Sequence, residues 1–103
     1  MWTIQGKGEV TLDTGRRLCA VEYLVEFPKG IVRRWTGWVR VVRSRRNLYH
    51  EYKAFPMTLC LQEPIVFKTR DGSEHSYDKL PFFCYRYDPF VDICHIRYGG
   101  KPT

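Results

Sequence analysis

A chain of 103 residues that is 44% hydrophobic and 16% aromatic carries enough apolar surface for one cored domain, so an ordered single domain is expected rather than intrinsic disorder. Its net charge of +6 is local: seven Lys and Arg and no carboxylate fall between Phe27 and His50, while the other residues hold ten basic and eleven acidic side chains. No stretch approaches the ~18 apolar residues of a membrane helix. The start Met1-Trp2-Thr3-Ile4-Gln5-Gly6-Lys7 has no apolar run behind a charged residue, so the expected setting is cytoplasmic, without membrane contact. In that setting Cys19, Cys60, Cys84 and Cys94 are expected as free buried thiols rather than disulfides.

From Trp2 to Leu12, apolar residues or Gly fill every even position and polar ones every odd position, the period of a half-buried strand. Asp13-Thr14-Gly15 reads as a turn, after which Val21, Tyr23, Val25 and Phe27 alternate with Glu22 and Glu26, completing a hairpin. Leu18 and Ala20 have the opposite parity to Val21 onward, which predicts a bulge that rotates the strand. Pro28-Lys29-Gly30 turns the chain into a basic strand, in which Trp35, Gly37, Val39 and Val41 share one parity and Arg34, Thr36, Trp38 and Arg40 the other. Trp38 is thereby placed among cations on the outer face, where packing gives no reason for an indole.

From Ser44 to Phe55 the alternation stops, and Leu48, Tyr52 and Phe55 take helical spacing, with Ser44 as the expected N-cap and Pro56 as the stop. Met57 to Leu61 and Ile65 to Phe67 form a long strand bent at Pro64, with a two-residue hairpin expected at Asp71-Gly72 and a return strand over Ser73 to Tyr77. Pro81 is expected to reset the chain before two further strands, Phe82 to Tyr87 and Phe90 to Tyr98, joined at Asp88-Pro89. If Phe90, Cys94, Ile96 and Tyr98 face inward, His95 and Arg97 face outward and extend the basic surface, provided that this strand neighbours the third.

Six to seven short strands with one short helix or helical loop near 44–55 predict an all-β fold, a small antiparallel barrel or roll spanning 1–98, with 99–103 as a flexible tail. Three strands, a helix and further strands is also the order of an OB-fold barrel, an analogy that carries little functional weight alone.

The basic strip offers Arg33, Arg34, Arg40, Arg43, Arg45 and Arg46 as phosphate contacts and Trp38 and Tyr49 as rings on which bases stack. Together these make the face formed by residues 33–52 a site expected to bind nucleic acid, preferably single-stranded or RNA. A competing structural account makes Trp35 core and pairs the arginines with Glu22, Glu26 and Glu51 across neighbouring strands. The same Arg, Trp and Tyr also suit docking on an acidic protein surface, as an inhibitor or adaptor of the kind that mobile genetic elements encode.

No other chemistry is indicated. Cys60, Cys84, Cys94, His50, His75 and His95 lack the spacing of a zinc site, and the adjacent Cys94 and His95 point to opposite faces of a strand. Glu22 and Glu26 are about 13 Å apart by the strand rise, too far for a hydrolytic pair. With no phosphate loop or nucleophile elbow, neither a cofactor nor catalysis is expected.

Overall fold

Strands β1 (Trp2–Leu12), β2 (Arg17–Phe27) and β3 (Thr36–Val41) form one antiparallel meander and β4 (Met57–Lys68), β5 (Glu74–Asp88) and β6 (Ile93–Tyr98) a second, with helix α1 (Leu48–Tyr52) between them. The computed structural model describes residues 2–28, 34–44, 46–53, 55–68 and 71–100. The outer strands of one meander pair with those of the other, β3 with β6 and β1 with β4, closing a barrel in the order β1-β2-β3-β6-β5-β4. Every pair is antiparallel, and the ring has six strands where an OB-fold has five.

The alternation read from the sequence sets which residues enter the barrel. Val10 on β1, Val21, Tyr23, Val25 and Phe27 on β2, and Val39 on β3 are buried, joined from the second meander by Met57, Leu59, Leu80, Phe82 and Ile96. Burying side chains of this size contributes about 1.5–3 kcal/mol each. Trp35 is 1% exposed and packs edge-on against Tyr98 at 6.3 Å, so it is core. At Gly15 the chain turns with φ of 91°, a region that glycine enters without steric cost, and the Gly15 N–H donates to the Leu12 carbonyl at 2.9 Å. The expected bulge is present: Val10 pairs with Cys19 and Thr11 with Arg17, leaving Leu18 as the extra residue.

Four local expectations are corrected. The N-cap of α1 is Asn47, whose Oδ1 accepts from the His50 N–H at 3.1 Å, while Ser44 Oγ accepts from the Arg46 N–H. Both residues are good caps by type, and the helix begins with Leu48 because that side chain enters the core. Pro81 does not reset the chain: β5 runs unbroken from Glu74 to Asp88, with Pro81 opposite Thr58 and its carbonyl accepting from the Gly99 N–H at 2.8 Å. Among the described residues the β4–β5 ladder ends at Lys68 and Glu74, and Ser73, next to the expected two-residue turn, lies outside the strand. Phe90, expected to face inward at the start of the last strand, is instead 96% exposed in the turn before Ile93.

Bends fall where the sequence places them. The β4–β5 register shifts between Cys60 and Ile65, around Pro64, which has no N–H to give the ladder. Beyond Gly8 and Leu61 the two hairpins β1–β2 and β4–β5 continue unpaired with each other, and the molecule extends to 45 Å in its longest dimension. Among the described residues no helix is long and apolar enough to cross a membrane.

Candidate nucleic-acid interface

The side chains of β3 that face away from the core are Thr36, Trp38 and Arg40, and the closed barrel supplies their neighbours. On β2, Leu24 lies opposite Trp38 and Glu22 opposite Arg40. On β6, His95 lies opposite Trp38 and Arg97 opposite Thr36. β5 completes the surface, with Arg86 opposite His95 and Phe83 opposite Arg97. Between Cys84 and Arg86 the β5 register shifts, and Tyr85 is the extra residue, 47% exposed with its ring 6.1 Å from that of His95. The outer face of β3, β6 and β5 therefore joins Trp38, His95 and Tyr85 to Arg40, Arg86 and Arg97.

The sequence-derived residues divide into groups. Arg34 is exposed just before the β3 face, and Trp38 is partly exposed on it, with the Arg40 guanidinium carbon 5.4 Å from its ring centroid, a cation–π distance. Arg40 is partly engaged elsewhere: its Nε and Nη2 donate to the Val91 carbonyl at 3.3 and 3.1 Å, and Nη1 lies 3.8 Å from Glu22. Arg43 is exposed and takes the left-handed backbone conformation, φ of 58°. Arg46 turns away from the strip, donating to the Leu18 carbonyl at 2.9 Å and pairing with Glu51 at 3.4 Å. Arg40 and Arg46 thus realise two of the ion pairs anticipated in the competing structural account. Tyr49 packs against the core and lies 6.0 Å from Lys53 Nζ. Arg33 and Arg45 lie outside the described residues.

His95 is the electrostatic centre of the face. Arg86 Nη2 is 2.8 Å from His95 Nε2; since a guanidinium only donates, that nitrogen is the acceptor of a neutral ring with its proton on Nδ1. Partial burial, followed by the Arg86 charge, holds the imidazole below its ordinary value, against a smaller opposing effect of Asp88. The adjoining β5–β6 turn is braced at several points. Tyr87 donates its hydroxyl proton to Asp92 at 2.6 Å, Asp88 accepts from the Phe90 N–H at 3.0 Å, and Arg40 holds the Val91 carbonyl. The Asp92 contact raises the Tyr87 phenol above its ordinary value.

Beneath α1 lie buried thiols. The four cysteines are free, Cys84 and Cys94 being buried. Contact with the Cys84 thiol and then the amides of Tyr49 and Leu48 hold Cys94 down to about 7, whereas Cys84 is raised by that contact and by burial. The Leu48 and Tyr49 amides belong to the first turn of α1, where backbone N–H groups have no partner within the helix.

Comparison of the chain with protein-family models, with curated proteins and with solved structures finds no match. The site rests on its own geometry. Arg86 and Lys53 lie outside the charge run from Phe27 to His50, and Tyr85, which strand spacing assigns to packing, is exposed at the surface. The outward direction of His95 and Arg97 follows from parity alone. Their place beside Trp38 depends on the pairing of β3 with β6, which joins the two halves of the chain.

Proposed function

We propose that the protein binds nucleic acid, single-stranded or RNA, across the outer face of β3, β6 and β5, and that it does so without catalysis or a cofactor. The observation that carries the reading is the convergence of Trp38, Tyr85 and His95 with Arg40, Arg86 and Arg97 on one surface built from three strands. Flat rings stack on unpaired bases of any sequence, and the cations replace counterions along the backbone. Arg34 and Arg43, both exposed, continue the cationic surface beyond the two ends of β3. A ladder surface suits an extended strand better than a duplex, because splayed bases reach rings that duplex bases, stacked on one another, do not.

Fluorescence anisotropy with labelled single-stranded RNA, single-stranded DNA and duplex, each at about 50 and 200 mM salt, tests the reading. Four or five phosphate contacts give a slope of log affinity against log salt of about −3 for a single strand. Micromolar or tighter binding with that slope, lost on R86A/R97A, is the expected result. Absence of binding to every probe at the lower salt rejects it.

One observation favours the second reading, docking on an acidic protein surface. Phe90 and Val91 are 96% and 47% exposed on a turn that Arg40, Asp88 and Asp92 hold in place. A pre-ordered apolar tip beside arginines is what a protein pocket rimmed with carboxylates would accept at low entropic cost. Recovery of one acidic protein by the wild-type chain and its loss with F90A would favour this reading.

A further inference from the structure

At the margin of the same face lies a shallow pocket of about 260 Å³ lined by Tyr49, Lys53, Phe83, Cys84, Tyr85 and Arg97. Its position follows from the strand ends. β4 begins at Met57, opposite Phe82, so among the described residues the β5 segment from Phe83 to Asp88 has a ladder partner only in β6. On the other side α1 packs against β5, bringing Tyr49 and its C-cap residue Lys53 over this part of the strand. Arg97 reaches the pocket from β6 because it lies opposite Phe83, and Tyr85 because the bulge turns it out of the ladder.

The lining combines three aromatic rings with two cations and holds no carboxylate. Another concavity, between the two hairpin arms, contrasts with it: Gln5, Gly6, Lys7, Tyr23, Gln62 and Glu63 present both signs of charge and a single ring. Cations alone would suit any small anion, and rings alone any flat apolar group. The combination suits a flat π-system that carries a phosphate. The volume falls just below the ~300 Å³ at which pockets for drug-sized ligands begin, so it takes one such unit rather than several.

We propose that this pocket binds a single nucleotide, its base against the rings of Tyr49, Phe83 and Tyr85 and its phosphate between Lys53 and Arg97. The inference deepens the nucleic-acid reading and rests on it for the source of that nucleotide, an unstacked residue of the bound strand. A free nucleoside monophosphate carries the same chemistry. Tyr85, in ring contact with His95 and part of the pocket wall, links the two regions.

The test titrates the full chain, followed through its backbone amide NMR signals, with each nucleoside 5′-monophosphate, with the unphosphorylated nucleosides and with inorganic phosphate. At least one monophosphate is expected to shift the amides of Lys53, Tyr85 and Arg97 and to bind about tenfold more tightly than its nucleoside or phosphate. K53A, at an exposed position that preserves the fold, is expected to reduce that affinity by about tenfold. Phosphate binding as tightly as the monophosphate, or shifts that bypass these residues, would overturn the proposal.

The oligonucleotide arm separates the two readings, with W38A reporting the face and K53A the pocket. Strand binding that needs Trp38 and not Lys53, without monophosphate binding, rejects the pocket and leaves the face. Monophosphate binding without strand binding keeps the pocket and rejects the face. Loss of strand affinity in both variants identifies the nucleotide as part of the strand.

Discussion

Trp38 and His95 are cross-strand partners on the outside of the barrel, one from each half of the chain. Through that pair an indole stands opposite an imidazole that partial burial, and then the Arg86 charge, hold below its ordinary value. The pair lies at the centre of the proposed binding face, and its pH behaviour is open to measurement.

Because the folded protein holds His95 below its unfolded value of 6.5, the unfolded chain binds the proton more readily. The contribution to stability is therefore present above pH ~6.5 and is lost as the pH falls through the lower folded value. Binding a polyanion beside Arg86 reverses the balance by favouring the imidazolium. Histidine proton NMR is expected to show His95 titrating below 6.5 in the free protein and higher in the complex, with affinity for single strands rising in acid. In H95Q the acid enhancement disappears.

Trp38 and Trp35 differ by three positions and by side of the sheet. W35A removes a side chain 1% exposed and is expected to cost about 3–5 kcal/mol of stability in denaturant titration. W38A, at a partly exposed site, is expected to cost about 1 kcal/mol of stability. Its larger effect is on the strand, about 1–3 kcal/mol of lost affinity.

Arg46 and Arg43 are expected to separate in the same manner. R46A removes the donor to the Leu18 carbonyl and is expected to cost about 1 kcal/mol of stability, the exposed Glu51 carboxylate staying hydrated, with little change in the salt slope of binding. R43G relieves the left-handed conformation at φ of 58° by about 1 kcal/mol, less what glycine costs through the unfolded chain. It flattens the salt slope by about one if Arg43 meets a phosphate. Chemical denaturation and anisotropy on the two variants give four numbers that test the division.

Gly37 is a steric rather than a conformational requirement. A Cβ there would collide with the Leu24 carbonyl oxygen and stand 2.9 Å from Val25 Cα, both backbone atoms of the paired β2. G37A is expected to lose about 3 kcal/mol or more and to disorder the β2–β3 ladder beneath Trp38. G15A, with nothing within 4 Å of the new carbon and only a positive φ to oppose it, is expected to lose about 1 kcal/mol.

The strands and their inward faces were legible because alternation encodes both, down to the bulge at Leu18. The unbroken run of β5 through Pro81 was hidden: a proline signals an interruption locally, and only the barrel shows that its missing N–H does not break the ladder. The site divides in the same way. Parity turned Trp38 and Arg40 outward, but nothing in the run from Phe27 to His50 indicates that Arg40 holds the Val91 carbonyl or that Arg46 serves the Leu18 carbonyl. Those partners lie elsewhere along the chain. Arg86 and Tyr85 fell outside the charge cluster, and Tyr85 reaches the surface through a register shift that periodicity alone does not display.

The two meanders meet along two seams, β3 with β6 and β4 with β1. Each half has two bare edges, and for each the matching edge lies in the other half. A chain cut between Arg43 and Asn47 would thus yield two fragments, each holding part of the platform, with Trp38 on one and His95 on the other. Neither fragment alone closes a core or presents the complete face. Brought together by fused partners, they would regain the barrel and the face in one event, making the molecule a natural two-part sensor of proximity.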